Sequence, residues 1–362
     1  MLASVLVFGF ALHGRAGEDA GKKKFDKPVH ADEARWQMEK FAGCDVFGHL
    51  DGPRLEMQYC SAGNLESIYR PHGAGKYVFS SYDPRSERAH VVAGSARGYL
   101  DGPFSRARFG GWDYVTRSSA AQSPDKRYLY MTDGYNGHVL RCFDLEKQEV
   151  KTLMPGVKNL AGLVTDSKNR LYMLKSDGQF TIITPDGQST DGPKVELKEE
   201  LGGWGASLAM DEKNNRIYGT CYATKNFYIW YWDLKDGSFH GVLPMPKEGG
   251  KNRPKSAPGP FEGTTLYSQG SVFFGPDDPE RRFLYTGRVD TWNLFRLDLD
   301  KKMMAALDIE SGGGKKGPAV VKFSYEKESN VNVYGGAGWL EDGSFQSTVH
   351  SPFDTWRFLR TK

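Results

Sequence analysis

Three of the eight histidines, His72, His138 and His350, each stand a few positions after a strand-like apolar run. Three imidazoles brought to one rim would supply a three-nitrogen site for a divalent metal, zinc or calcium. Arg70, Arg108, Lys175 and Arg288 would draw an anionic ligand to the same place, such as a uronate-containing sugar or another carboxylate. Asp290 adds a polar contact there, and Trp112 and Trp204 offer faces on which a sugar ring can stack. These residue types suit a lyase. The metal or Arg288 neutralises the carboxylate, Tyr135 or the rim histidine His350 removes the adjacent proton, and a second group protonates the leaving oxygen. A metal-assisted hydrolase would use the same parts with a bound water as nucleophile. The competing expectation is a noncatalytic platform for glycans or proteins, on which the histidines are incidental.

For these residues to meet, the chain must place them on equivalent turns, and an internal repeat does so. "RYLYMTDGYNGHVLRCFDLEKQEVKTL" from Arg127 has counterparts beginning at Arg170, Arg216 and Arg282, each a strand, a turn, a strand and then an aspartate. Tyr130 to Asp144 and Tyr172 to Asp186 are each 14 positions, Tyr218 to Asp233 is 15, and Tyr285 to Asp298 is 13. A copy with Tyr69 and Asp83 precedes them, and "SFQSTVHSPFDTWRFLR" closes the chain without the aspartate. The tyrosines at 130, 172 and 218 lie 42 and 46 positions apart, the period of a four-stranded propeller blade. Apolar inner strands are expected at 115–120, 160–165, 206–210, 270–274 and 335–340. The fold class read from this pattern is all-β: a six-bladed β-propeller of four-stranded blades, closed by an N-terminal strand at 35–43 that supplies the missing outer strand of the last blade and removes the open edges. Aligned on their tyrosines, the blades put His72, Tyr135, His138, Lys175, Arg288, Asp290 and His350 on the turns between second and third strands. Asp133-Gly134 and Asp177-Gly178 read as ordinary turn formers. Trp230 and Trp232 lie within a strand and read as packing.

The connector "VVAGSARGYLDGPFSRARF", followed by "SPDKRYLYMTDGYNGHVLRCFDLEKQEVKTL", resembles the NHL-repeat propellers, in which a glycine-rich segment ending in ARF precedes a "PDG.LYVAD..N..IR..D" blade. The resemblance is strongest over 91–154 and implies a propeller of the NHL-like and gluconolactonase-like superfamily. That group includes lactonases, esterases, amidating lyases and plain binding scaffolds, so fold does not choose the function. The gluconolactonase-like ligand set, an early Glu followed by Asn and Asp, has no counterpart here beyond Glu56. The connector at 95–111 is expected to fold over the mouth as a wall of the site, with Arg106 and Arg108 as ligand contacts. The insertion at 244–265 reads as a polar, mobile loop on the same face.

Composition bounds the rest. The 48 basic and 45 acidic residues give a net charge of +3, and no basic block exceeds Lys22-Lys23-Lys24, so nucleic acid is set aside as a partner. The 43 glycines and 18 prolines are spread along the chain, as frequent turns between short strands require. The apolar run from Leu2 to Leu12 suits a signal peptide or tether over 1–20, too short for stable membrane insertion; 21–34 then form a linker and 35–362 a single propeller domain in a secreted or periplasmic protein. Cys44 and Cys60 form a disulfide in an oxidising compartment or stay buried free thiols; both remain open.

Overall fold

A computed structural model describes residues 35–42, 52–53, 69–71, 79–83, 88–94, 96–110, 120–133, 139–157, 160–175, 177–195, 207–220, 227–244, 258–264, 272–275, 278–287, 294–306, 309–311, 322–323, 333–339, 345–349 and 354–361. Among them the chain is almost wholly β, arranged as six sheets. The first strand, β1 (Arg35–Ala42), belongs to the last sheet. The first sheet holds β2 (Gly52–Pro53), β3 (Tyr69–Pro71), β4 (Phe79–Asp83) and β5 (Arg88–Ala93), in the order β2-β5-β4-β3. The second runs β6-β10-β9-β8-β7, from β6 (Gly102–Pro103), β7 (Ala120–Gln122), β8 (Tyr128–Asp133), β9 (Val139–Asp144) and β10 (Glu149–Pro155). The third and fourth are four-stranded meanders: β11 (Leu160–Thr165), β12 (Leu171–Lys175), β13 (Gln179–Ile183) and β14 (Ser189–Lys194), then β15 (Leu208–Asp211), β16 (Arg216–Thr220), β17 (Phe227–Asp233) and β18 (Phe239–Pro244). The fifth runs β19-β23-β22-β21-β20, from β19 (Gly259–Pro260), β20 (Val272–Phe274), β21 (Phe283–Gly287), β22 (Leu294–Asp298) and β23 (Met303–Ala306). The sixth collects β24 (Ile309–Ser311), β25 (Lys322–Phe323), β26 (Val333–Trp339), β27 (Phe345–Val349) and β28 (Asp354–Thr361) with β1.

The inner strands β7, β11, β15, β20 and β26 neighbour one another in chain order. From the second sheet to the fifth, successive sheets pack face to face, and their second and third strands bury side chains on both faces. In β8, Leu129 and Met131 enter one core while Tyr130 enters the next. Tyr172, Leu174 and Phe180 of the third sheet pack on Trp230 and Trp232 of the fourth, with the Phe180 and Trp232 rings 4.8 Å apart. The two tryptophans are packing residues, as their strand position implies. Tyr218 and Tyr228 meet Phe274, Leu284 and Phe295 between the fourth and fifth sheets. The recurring tyrosines Tyr130, Tyr172, Tyr218 and Tyr285 are core residues, and burial pushes the phenols of Tyr130 and Tyr172 upward, the latter to about 12.

The recurring aspartate has an equally local cause. Asp144 and Asp298 end a third strand, accept the backbone N–H of Lys147 and Lys301 at 3.0 Å, and pair with Arg127 and Arg282 at the start of the second strand. One residue type thereby caps the third-to-fourth turn and ties it to the neighbouring strand.

Two expectations change. β1 pairs antiparallel with β28, but its other edge pairs in parallel with β24, so it is not the outermost strand of its sheet. The end of the 244–265 segment is not a polar surface loop. Gly259 and Pro260 form β19 on the outer edge of β23, and Pro258, Phe261 and Thr264 are buried. Residues 102–104 do the same on the second sheet: both stretches read Gly-Pro-Phe, Phe104 N donates to Gln148 O at 2.8 Å, and Phe261 N donates to Lys302 O at 2.9 Å. Gly102 and Gly259 adopt φ of 127° and 152°, which a side chain would strain. The following proline offers no N–H to a further strand, so the dipeptide finishes the sheet edge.

Candidate functional site

The two ends of the sheets differ. At one end lie the first-to-second turns, which share one hydrogen-bonded geometry: Lys126 N to Ser123 O, Asn169 N to Asp166 O, Asn215 N to Glu212 O and Arg281 N to Asp278 O. Each donor residue has positive φ. Polar side chains then lace one sheet to the next. Asn169 Nδ2 donates to Asp125 at 2.7 Å, Ser167 N donates to Glu212 at 2.6 Å, and Lys213 pairs with Glu280. This end is committed to holding neighbours together.

The second-to-third turns sit at the opposite end. His72, Tyr135, His138, Arg288, Asp290 and His350 of the expected site lie outside the described residues, as do Trp112 and Trp204. Arg70 is in β3 opposite Ser80. Lys175 ends β12, half-buried, and its carbonyl accepts the N–H of Gly178 at 3.0 Å. Asp177 is the turn former expected, its carboxylate accepting Gln179 N at 2.9 Å. Arg70, Arg108 and Lys175 belong to three different parts of the fold: the first sheet, the connector on the second, and the third sheet. Among the described residues, no three His, Cys, Asp or Glu side chains form a group able to hold a metal.

The connector takes a different path from the one expected. It leaves β5 at the second-to-third-turn end, where Ala93 pairs with Phe79, and runs along the outer edge of β10 to the opposite end. It then returns, so residues 96–110 form a strap. Phe104, Ala107 and Phe109 fill the core beside Leu129, Met131 and Phe143, with the Phe109 and Phe143 rings stacked at 5.5 Å. The strap therefore packs against the second sheet and does not form a wall over the mouth.

A buried ionic cluster fastens it. Arg141, in the middle of β9, is fully buried, and its Nη2 donates to Leu100 O at 3.0 Å and stands 3.2 Å from Asp101 Oδ1. Its Nη1 lies 3.6 Å from Asp133 Oδ2, and Asp133 Oδ1 accepts Gly110 N at 2.8 Å. Asp101 in turn accepts Thr152 N and Oγ1 at 2.8 and 2.9 Å. Asp133 is thus not a solvated turn residue but the buried counter-ion of Arg141. Sequence spacing alone missed Arg141 and Asp101; the available signal was an arginine interrupting the apolar run "VLRCF". Above the cluster the strap is open. Arg97, Tyr99, Leu100, Arg106 and Arg108 are all exposed. Burial of its inner part, and then the Asp133 charge, hold the Tyr99 phenol above its usual range.

No protein-family profile and no curated protein sequence matches the chain. Solved structures do. An auxiliary nutrient binding protein from Bacteroides thetaiotaomicron superposes with a TM-score of 0.61 at 12% identity, over 91% of this chain and 78% of the other. One from Bacteroides ovatus gives 0.59 at 11% identity, over 91% and 78%. A gluconolactonase from Xanthomonas campestris gives 0.51 at 8% identity, over 92% and 97%. The chain shares the fold of these proteins, a β-propeller. Among the described residues no helix is long and apolar enough to cross a membrane.

Proposed function

We propose that the protein is an exported six-bladed propeller, its ring closed through β1, that binds an acidic carbohydrate or another small carboxylate at the end carrying the second-to-third turns. One observation carries this reading: the first-to-second-turn end spends its polar side chains on contacts between sheets, so recognition falls to the opposite end. There the sequence gathers Arg70, Lys175, Arg288 and Asp290 with His72, Tyr135, His138 and His350. The six sheets and the pairing of β1 with β28 support the ring. The nutrient-binding names of two structural neighbours favour capture of a small molecule.

A second reading is catalytic, and the fold shared with a gluconolactonase favours it. His72, His138 and His350 would hold a divalent metal, zinc or calcium, supplying charge neutralisation or an activated water. Arg288 would neutralise the substrate carboxylate, and Tyr135 or His350 would take the adjacent proton. Trp112 and Trp204 would contact the remainder of the substrate. Elemental analysis of the purified protein, with calorimetric titration of galacturonate oligomers, separates the readings. Binding without stoichiometric metal or product supports the first, and stoichiometric metal with product supports the second. Neither binding nor product contradicts both.

A further inference from the structure

We infer that Tyr99, with Arg97 and Arg108, forms a separate subsite for an acidic sugar on the strap against the second sheet. The inference rests on the acidic-carbohydrate reading above and extends it to a second place on the molecule.

Tyr99 is 54% exposed, and with Leu100 and Phe227 it makes up the exposed large hydrophobic residues among those described. Exposure of an aromatic side chain is ordinary; its being held in place is the informative feature. A Cβ at Gly110 would collide with the Cζ and hydroxyl of Tyr99, so the distal end of the ring occupies space that only glycine leaves open. Arg108 is held in a similar way. A Cβ at Gly98 would stand 3.3 Å from its Cβ and Cδ, so the stem of Arg108 lies along the residue preceding Tyr99. The backbone beneath is rigid: Gly98 N donates to Phe109 O at 2.9 Å, and Leu100 and Arg108 exchange N–H to O bonds at 3.1 Å each. Arg141 clamps the Leu100 carbonyl from below. Arg97 lies near enough for its charge to act on the Tyr99 phenol.

An aromatic ring fixed in advance loses little rotamer entropy on binding, and guanidinium groups beside it take a carboxylate in charge-assisted hydrogen bonds. Ring stacking plus carboxylate capture is the chemistry of a uronate. Arg97, Arg106 and Arg108 give this surface a positive balance: within residues 96–110 the one acid, Asp101, is engaged with Arg141 and Thr152, and the Asp133 carboxylate beneath Tyr99 is paired with Arg141.

The test is calorimetric titration of the whole protein with trigalacturonate, using maltotriose as the neutral control, for wild type, Tyr99→Phe, Tyr99→Ala, Arg108→Ala and Gly110→Ala. Wild type should bind trigalacturonate at two places and maltotriose at neither. Tyr99→Phe should keep both. Tyr99→Ala and Arg108→Ala should weaken one of the two by about tenfold or more, the scale of a lost stacking or charge-assisted contact. Gly110→Ala should do the same by displacing the ring. Unchanged melting curves for Tyr99→Ala and Arg108→Ala would separate lost binding from lost folding. Two unaltered places in Tyr99→Ala and Arg108→Ala, or one place that neither change touches, would overturn the strap subsite alone. A single place lost in Tyr99→Ala would support the strap and remove the other end. No binding by wild type would remove both.

Discussion

Arg141 and Asp133 set the energetic scale for single residues, since both side chains are fully buried. Removing one member of such a pair leaves an uncompensated charge, so Arg141→Met is expected to cost about 3–5 kcal/mol, read from denaturant unfolding. Arg108→Ala, on the exposed side of the same strap, should stay within about 0.5 kcal/mol. Cys142 shows burial acting on a nucleophile: its thiol is pushed up to about 12, mainly by loss of water and then by Asp144. Native protein at pH 8 should therefore leave Cys142 unmodified by iodoacetamide, with full labelling after denaturation; prompt native labelling would contradict its burial. The sign of the linked stability follows. A folded value above the unfolded one keeps its full contribution below the thiol's ordinary pKa and loses it as pH rises toward the folded value. Asp133 was legible only as a turn residue, because its partner is eight positions away across a hairpin and its other ligand, Gly110 N, is 23 positions back.

At the scale of elements, the strap and its counterpart at 258–264 repeat one device. Gly102 has open space where a Cβ would go, so Gly102→Ala tests the backbone alone and should cost about 1–3 kcal/mol for an L residue held at φ 127°. Phe104→Ala and Phe261→Ala should cost about 3–5 kcal/mol each, as buried aromatic truncations do. Equal stability of all three variants would mean that the Gly-Pro-Phe edges are not part of the cooperative unit. The second and third strands were readable from sequence because a buried tyrosine and a turn-capping aspartate recur at nearly constant spacing. The Gly-Pro-Phe repeat was equally visible, but its meaning was not. A dipeptide carries no periodicity, and only its pairing with β10 or β23 shows that it is an edge. The placing of β24 between β1 and β25 was hidden for the same reason: three residues, Ile309 to Ser311, make too short a strand to read.

For the whole molecule, the pairing of β1 with β28 joins the two ends of the chain, so deletion of residues 35–43 should lower the melting temperature of the entire domain and broaden its transition. An unchanged single transition would contradict the proposed closure through β1. Acid should also act globally. Burial raises the carboxyls of Asp144 and Asp298, but hydrogen bonds from backbone N–H groups and from Arg127 and Arg282 outweigh it and hold both below the usual range. A depressed folded value gives stability that is present above the ordinary carboxylate pKa of about 4 and is lost as pH falls through the folded value. Melting should therefore be flat near neutrality and fall below pH 4. The seven-residue site proposed at the second-to-third turns comes from a pattern of equivalent positions in the sequence, whereas the inward or outward aim of each side chain depends on turn backbone that spacing does not specify. Capture of an acidic ligand there, as proposed, is tested by titrating wild type and Arg288→Ala with galacturonate oligomers at low and high salt. Saturable binding of the acidic oligomer and none of its neutral counterpart, weakened by salt and by Arg288→Ala, is expected. Equal binding of acidic and neutral oligomers, or of neither, would contradict it.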